Sequence, residues 1–262
     1  MKISPRFLSL IMIIFLAAGN VFAAKKKNIN IVYIGNSISQ GVIIKNPELN
    51  APPVKCSKWL NENIPGRIIK FSNQGVSGLT TLNFLPEEET YFNNVTFAAD
   101  TLKKADDKAL MLFSIMIGTN DSAISGCYGS PVNPVQYITN LKVIIETLAK
   151  KYPDAVFVIN RAIWYSPNTY NGSMYLKSGL DRLNSYFPRI QKMIEDYSRT
   201  MPNRVFLGDT EAYEFFKENH TSYLIPENGN AGVFYLHPNI EGAEKLGIYW
   251  GNAIKKVIES NF

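Results

Sequence analysis

The segment at residues 31–41, which reads IVYIGNSISQG, restricts the fold of this chain more than any other. Its first four residues are apolar and mostly β-branched, the pattern of a strand buried on both faces of a sheet. The run ends at Gly35, and Ser37 follows in the turn. A serine just past the carboxyl end of a buried strand lies where open α/β sheets bind ligands, although serine in this position also caps helices. The segment therefore predicts a buried strand with Ser37 at the ligand-binding edge.

Further apolar runs repeat this strand pattern, and helical patterns separate them. Strands are predicted at residues 30–35, 67–72, 109–117, 155–159 and 204–207. Helices are predicted at residues 54–63, 90–104, 133–151, 174–200, 211–219 and 240–260, and residues 221–236 are expected to be irregular. Alternation of this kind predicts a three-layer α/β sandwich around a five-stranded parallel sheet, with the flavodoxin-like order 2-1-3-4-5.

The first 23 residues have the composition of a secretory signal peptide. Lys2 and Arg6 precede an apolar segment at residues 8–18, and small residues lead to a cleavage site after Ala23. The apolar segment is short for a membrane span. We therefore expect a signal peptide at residues 1–23, a single domain at residues 24–262, and a periplasmic or secreted protein with no stable membrane association.

Charge and motif content exclude several classes of function. The formal net charge is +5, and it falls to about +3 when Lys2 and Arg6 are removed. The remaining basic residues are scattered, so nucleic-acid binding is not expected. The sequence contains no H-E-x-x-H, no P-loop, no G-x-G-x-x-G and no G-x-S-x-G, and its two cysteines lack zinc spacing. We expect neither a metal nor a cofactor.

Cys56 and Cys127 are the two cysteines of the chain. Both follow strands that are neighbours in the predicted sheet, and export permits a disulfide. A bridge would close a loop of about 70 residues, worth on the order of 4 kcal/mol in the chain-entropy model. We predict this bridge, with two buried free thiols as the alternative.

Polar residues and a glycine lie where the predicted strands end. Ser37 follows the first strand, Gly75 the second, Asn120 the third and Asp209 the fifth. Because parallel strands end at one edge of a sheet, these residues are expected to lie together. The turn that contains His237 opens the last helix and can reach the same edge. A hydroxyl, a glycine amide, a carboxamide and an imidazole suit acyl transfer, as nucleophile, oxyanion donors and base.

The chain has two histidines, so the choice of a general base is narrow. Histidine suits this role because its pKa lies near neutral pH. His237 precedes the residues that start the last helix, whereas His220 lies in a polar stretch that predicts a solvated side chain. We expect His237 to act on Ser37.

Four blocks of the sequence together resemble the SGNH subgroup of the GDSL hydrolases. GNSIS stands at the nucleophile block, NQGVSG at the glycine block, GTND at the asparagine block and LHPN at the histidine block. Their order and spacing agree with the family over nearly the whole mature chain. The resemblance implies the SGNH hydrolase fold, Ser37 as nucleophile and His237 as base. It also implies an oxyanion hole made of the amides of Ser37 and Gly75 and the side chain of Asn120.

The sequence departs from the family at two positions. Asn36 replaces the usual aspartate beside the serine, and Phe234 stands three residues before the histidine, where the family has an aspartate. A carboxylate in that place orients the imidazole and stabilises its charged form. Glu227 and Asp209 are the candidate replacements, and a Ser–His dyad without an acid is the alternative.

Aromatic and amide side chains after the fourth strand suggest a sugar site. Trp164, Tyr165, Asn168 and Tyr170 are the candidate substrate-binding residues, although packing is the alternative for each aromatic ring. Exported members of the family resemble carbohydrate acetylesterases that act on acetylated xylan, pectin or sialic acid. We therefore predict an exported serine esterase that removes O-acetyl groups from a glycan through an acyl-enzyme. A lipid esterase or thioesterase of the same fold and a non-catalytic sugar-binding module are the alternatives.

Overall fold

Five parallel strands form the central sheet of this protein, in a computed structural model that describes residues 26–262. The strands are β1 (Ile29–Gly35), β2 (Ile69–Gly75), β3 (Leu110–Met116), β4 (Val156–Ile159) and β5 (Val205–Leu207). They lie in the order β2-β1-β3-β4-β5, which confirms the topology expected from the sequence. The expected signal peptide lies outside the described residues.

Two neighbouring strands, β1 and β3, are buried along their whole length. Each has a strand on both sides, and helices cover the faces of the sheet, so continuous apolar runs replace the alternating pattern of a half-exposed strand. The edge strands β2 and β5 are partly exposed, and β5 has only three residues. A short edge strand leaves little unpaired backbone open to other chains.

The described residues contain eight α-helices. They are α1 (Ser37–Gln40), α2 (Pro47–Asn50), α3 (Pro52–Asn63), α4 (Thr90–Ala105), α5 (Pro134–Lys151), α6 (Leu176–Thr200), α7 (Ala212–Tyr223) and α8 (Ile240–Asn261). Two short 3₁₀ helices, Thr81–Phe84 and Pro86–Glu88, precede α4. Between residues 26 and 262, no helix has both the length and the apolar composition that a bilayer crossing requires.

The helices form layers on the two faces of the sheet. Helix α3 packs along α8, and α5 packs against α6. Phe113 pairs with Val32 in register, so Phe113 and Tyr33 point to opposite faces. Tyr33 stacks on Trp250 of α8, with ring centroids 6.1 Å apart, whereas Phe113 packs on Tyr152 at the end of α5, at 5.6 Å. The strands thus contribute to a core on each side.

An antiparallel hairpin replaces the irregular segment expected at residues 221–236. Its strands are β6 (Leu224–Gly229) and β7 (Gly232–Pro238), and Glu227 pairs with Phe234 across it. The expectation was wrong because Pro226 conceals the first strand. The second strand did carry a signal, since the run GVFYL is rich in residues that favour strands and follows a turn that contains Asn230.

Two glycines lie side by side where the first two strands end. Gly35 of β1 pairs with Gly75 of β2. A Cβ at Gly35 would lie 2.7 Å from Ser39 Cβ, and a Cβ at Gly75 would lie 2.5 Å from Gln40 N. Real Cβ atoms do not come so close to their neighbours. Helix α1 therefore reaches the sheet because neither position carries a side chain.

The structure contradicts the expected disulfide, because Cys56 and Cys127 are both free thiols. Cys56 is fully buried on α3, and burial raises the pKa of its thiol to about 12. Cys127 lies in the loop after β3, where its Sγ donates to Ser173 Oγ at 3.2 Å. The disulfide was expected because both cysteines follow neighbouring strands. Helix α3 instead directs the Cys56 side chain into the core, beside Tyr33.

Replacing Gly75 with alanine is expected to lower the free energy of unfolding by about 1–3 kcal/mol, the usual range for an overpacked site. The added Cβ would meet backbone atoms of α1, which cannot move aside as a flexible side chain can. Urea unfolding measures the change. Gly172→Ala is the matched control, because its Cβ meets nothing within 4 Å, and it should stay within about 0.5 kcal/mol of wild type. Equal unfolding midpoints for the two variants would contradict the packing argument.

Candidate active site

Ser37 is the first residue of α1, directly beyond the carboxyl end of β1. Asn36 caps this helix, because its Oδ1 accepts a hydrogen bond from Ile38 N at 3.0 Å. Asparagine and aspartate both cap helices through such an oxygen, so the exchange of aspartate for Asn36 preserves this contact. The cap fixes the turn and leaves Ser37 buried, with 6% of its surface exposed.

His237 lies at hydrogen-bonding distance from Ser37, although 200 residues separate them. Its Nε2 is 3.0 Å from Ser37 Oγ. His237 is near the end of β7, and Asn239 then caps α8 by accepting from Gly242 N at 2.8 Å. The hairpin and this cap together hold the imidazole over the carboxyl edge of the sheet.

Glu227 contacts the other nitrogen of the same imidazole. Its Oε1 lies 2.8 Å from His237 Nδ1 and accepts a second bond from His237 N at 3.3 Å. Because a carboxylate only accepts, Nδ1 carries the proton and Nε2 is left to accept from the Ser37 hydroxyl. Of the two candidate acids, Glu227 is therefore the one in contact with the histidine. It lies across the hairpin from Phe234, the residue that occupies the family's aspartate position and is 1% exposed.

Asp209 has a different environment from Glu227. Its carboxylate accepts from the backbone amides of Glu211 and Ala212, at 3.0 and 3.3 Å, at the start of α7. Burial raises the pKa of Asp209 to about 6, against the favourable amide bonds and the charge of Arg161. The Asp209 carboxylate thus binds the amides at the start of a helix, and it makes no contact with His237.

Asn120 is buried in the loop after β3, with 3% of its surface exposed. Its Nδ2 donates to Leu79 O at 2.8 Å, and its Oδ1 accepts from the Tyr175 hydroxyl at 2.8 Å. A carboxamide nitrogen carries two hydrogens, so one N–H has no partner among residues 26–262. The Ser37 amide, at the first position of α1, has no partner there either.

A buried polar network holds the loop that contains Asn120. Asp121 Oδ1 accepts from Thr81 N at 2.9 Å and also from the Thr81 hydroxyl. Asn140 of α5 donates to that hydroxyl at 2.8 Å. Burial raises the pKa of Asp121 to about 6, and its Oδ2 has no hydrogen-bond partner in the described part of the chain. Through Thr81 this network joins the segment after β2, the loop after β3 and α5.

The structure contradicts the expected oxyanion role of Gly75. Its amide donates to Asn73 Oδ1 at 2.9 Å, and its missing side chain makes room for α1. Gly78, three residues later, lies in an exposed turn with φ of +79°. Its own amide N–H has no acceptor within residues 26–262. Leu79, which follows it, is the residue bonded to Asn120. The signal for Gly78 was present in the same block, NQGVSG.

The structure contradicts the expected substrate-binding role of Trp164 and Tyr165. Tyr165 is completely buried, and its hydroxyl lies 2.9 Å from Ser122 Oγ. Trp164 is 7% exposed, and its ring packs on the ring of His220, with 5.0 Å between centroids. Both rings pack inside the protein, which is the alternative that the sequence left open for them.

Asn168 and Tyr170 both form hydrogen bonds with the β6–β7 hairpin. Asn168 Nδ2 donates to Val233 O at 2.7 Å and to Ala231 O at 3.2 Å. Tyr170 O accepts from Asn230 N at 2.8 Å. The β4–α6 loop, residues 160–175, therefore supports the hairpin that carries Glu227 and His237.

His220 is half-buried rather than fully solvated. Its ring lies between Trp164 and Tyr235, at centroid distances of 5.0 and 4.8 Å. Its Nδ1 is 3.0 Å from Lys217 O. These contacts are structural, and His237 is the histidine that meets Ser37.

Two clefts lie apart from these residues. One of about 580 Å³ lies at the amino ends of β3 and β4 and is lined by Lys103, Asp106 and Tyr152 among others. The second, of about 630 Å³, lies along β5 and α8. Neither is lined by Ser37 or His237, so the convergence of polar groups marks the site better than the size of a cavity does.

The hydrogen-bonded series Ser37–His237–Glu227 has the order of a nucleophile, a base and an orienting acid. Three donors have no partner in the described residues and belong to segments at the same edge: the amides of Ser37 and Gly78 and one N–H of Asn120. Preformed donors of this kind stabilise the negative oxygen of a tetrahedral intermediate. The site has the groups required to transfer an acyl group to a hydroxyl and then to water.

The model of the GDSL-like lipase/acylhydrolase family matches residues 33–245 of this chain. The match spans all four blocks and all five strands from within β1 onward, so the family expected from the sequence is confirmed. No curated protein sequence matches the chain.

Solved structures share the fold at low sequence identity. A carbohydrate acetylesterase from Sinorhizobium meliloti has a TM-score of 0.56 and 14% identity over 88% of this chain and 100% of that one. The native aryl esterase of M. smegmatis has a TM-score of 0.54 and 14% identity, over 87% and 99%. A two-domain esterase active on acetylated mannans has a TM-score of 0.50 and 14% identity, over 89% of this chain and 49% of that one. This chain thus spans about half the length of the two-domain esterase.

Proposed function

Because this chain belongs to the GDSL-like lipase/acylhydrolase family and is a carboxylic ester hydrolase, we propose that it removes O-acetyl groups from an extracytoplasmic carbohydrate. The observation that carries the proposal is the series of contacts from Ser37 Oγ through His237 to Glu227, at 3.0 and 2.8 Å. The signal-like sequence at residues 1–23 supports export, which the intact mass of protein recovered from the periplasm would test.

In the first half of the reaction Ser37 Oγ attacks the carbonyl carbon of the acetyl ester. His237 Nε2 takes the hydroxyl proton and then gives it to the departing sugar oxygen, so the sugar leaves as an alcohol and Ser37 is acetylated. In the second half water attacks the acetyl-serine, and the same imidazole moves the proton that restores the serine and releases acetate. Glu227 stabilises the imidazolium that forms in each half.

The negative oxygen of each tetrahedral intermediate requires donors that are already in place. We assign this role to the free N–H of Asn120 and to the amides of Ser37 and Gly78. Gly78 replaces Gly75 in this assignment, because the Gly75 amide is occupied by Asn73. Leu79 O holds Asn120 beside the turn that contains Gly78.

The choice of an acetylated carbohydrate is supported by the activities of structural neighbours. One neighbour is a carbohydrate acetylesterase, and another is active on acetylated mannans and has been co-crystallised with mannopentaose. Their identities of 14–16% carry the fold alone, so the substrate class is part of the proposal.

The proposal predicts hydrolysis of p-nitrophenyl acetate that falls by about tenfold or more with p-nitrophenyl butyrate, since a small acyl site discriminates against added methylenes. Acetate release from acetylated mannan and xylan oligosaccharides then tests the carbohydrate. Ser37→Ala is the matched blank, because it removes one oxygen from the site. Higher kcat/KM with longer acyl chains would indicate a lipid esterase or thioesterase. Turnover no greater than that of Ser37→Ala would indicate a non-catalytic sugar-binding module.

Glu227→Gln is expected to lower kcat by about 10²- to 10⁴-fold, because an amide cannot hold the imidazole in the required tautomer or stabilise its charge. The KM should change little, since Glu227 contacts the histidine and not the ester. Asp209→Asn is the matched acid-to-amide control, and its kcat should stay within about twofold of wild type. A larger loss in Asp209→Asn than in Glu227→Gln would reverse the assignment of the acid.

A further inference from the structure

The Tyr175 hydroxyl meets Asn120 deep inside the protein. Tyr175 is 3% exposed, and its hydroxyl lies 2.8 Å from Asn120 Oδ1. Asn120 Nδ2 lies 2.8 Å from Leu79 O on the other side of the carboxamide. The carboxamide is therefore held at both ends, by one donor and one acceptor.

These two contacts allow only one orientation of the Asn120 side chain. Leu79 O accepts hydrogen bonds and cannot donate, so the carboxamide must turn its nitrogen toward it. The oxygen then faces Tyr175, whose hydroxyl proton completes the pair. The reverse orientation would place an oxygen against Leu79 O, acceptor against acceptor. Only the observed orientation keeps Nδ2, and its second N–H, on the side of the Gly78–Leu79 turn.

We infer that Tyr175 is a positioning residue that fixes the Asn120 carboxamide so that one N–H is presented to the oxyanion. The inference rests on the proposed function, because it requires Asn120 to act as an oxyanion donor. It assigns to Tyr175 a role that its sequence position, in a loop expected to bind sugar, did not suggest.

The backbone around Tyr175 is fixed in a manner suited to this role. Both Tyr175 N and Leu176 N donate to Thr169 O, at 3.2 and 3.1 Å, and Gly179 N donates to Tyr175 O at 2.8 Å. Leu176 has φ of +54°, a left-handed conformation that a leucine rarely adopts. The ring also packs edge-on against Tyr165, with centroids 5.4 Å apart. The hydroxyl therefore has little freedom to leave Asn120.

The thiol of Cys127 also lies near the hydroxyl. Cys127 Sγ lies 3.4 Å from Tyr175 OH. The hydroxyl gives its single proton to Asn120 Oδ1 and the thiol gives its single proton to Ser173 Oγ, so the sulfur and the hydroxyl oxygen are neighbours with no proton between them. The thiol therefore does not compete for the proton that Tyr175 gives to Asn120.

The β4–α6 loop consequently connects both parts of the site. Through Asn168 it holds the hairpin that carries His237 and Glu227, and through Tyr175 it holds Asn120. A change in this loop acts on the acid–base residues and on the oxyanion donors at once. This loop was expected to contact the substrate. Its hydrogen bonds show that it holds the catalytic groups in place.

The test is a double-mutant cycle of Tyr175→Phe and Asn120→Ala, measured on p-nitrophenyl acetate. Each rate is expressed per serine that reacts with an organophosphonate, so that misfolded protein is not counted. Tyr175→Phe should lower kcat roughly tenfold with KM within about twofold, a fraction of the 10²- to 10³-fold loss that removal of an oxyanion donor causes. In the Asn120→Ala background the same substitution should have no further effect on kcat.

Tyr186→Phe is the matched control, because Tyr186 is 2% exposed and its hydroxyl donates to Val132 O at 2.6 Å. It removes a buried hydroxyl of the same kind that makes no hydrogen bond to Asn120, and it should leave kcat unchanged. Equal kcat for Tyr175→Phe and Tyr186→Phe, additive losses in the double variant, or a change confined to KM would each overturn the inference. If Asn120→Ala itself had wild-type kcat, the oxyanion assignment in the proposed function would fail instead.

Discussion

The hydrogen bond between Ser37 Oγ and His237 Nε2 joins two residues that are 200 positions apart in the sequence, and the architecture of the site depends on it. Two features bring its atoms together. The side-by-side glycines Gly35 and Gly75 let helix α1 come down onto the strand ends, which fixes the serine. The β6–β7 hairpin then reaches over the same edge with the imidazole. A parallel sheet places the carboxyl ends of its strands in one row, so residues that are distant in sequence share one site.

The strand order and the position of the serine follow from local patterns. Continuous apolar runs such as residues 31–34 identify buried parallel strands, and right-handed crossovers leave few orders for five of them. The residues after each strand then fall at one edge by geometry. This reasoning placed Ser37 and Asn120 at that edge, and the HPN turn added His237. The family followed from four short blocks in order, and the match to residues 33–245 agrees with it.

The features that sequence reasoning missed, or left open between two candidates as with Glu227 and Asp209, depend on tertiary contacts. Glu227 reaches His237 because it lies across the hairpin from Phe234, and the pairing of the two strands is not visible in a segment interrupted by proline. Glu227 can replace the family's aspartate because it lies across the hairpin from Phe234, which occupies the aspartate's position three residues before the histidine. Aromatic residues after β4 looked suited to a sugar, yet burial of Tyr165 and the contacts of Asn168 make that loop a support. Composition alone does not separate a binding ring from a packed one.

The central claim is that Ser37 is the nucleophile, and covalent labelling tests it most directly. The protein is treated with an organophosphonate, digested with trypsin and examined by mass spectrometry. The account predicts a single adduct on the peptide of residues 28–45, located at Ser37 rather than at the neighbouring Ser39. The adduct should be lost in Ser37→Ala and should form much more slowly in His237→Ala. An adduct on Ser39 or on another peptide, or esterase activity that persists with Ser37 unmodified, would contradict the account.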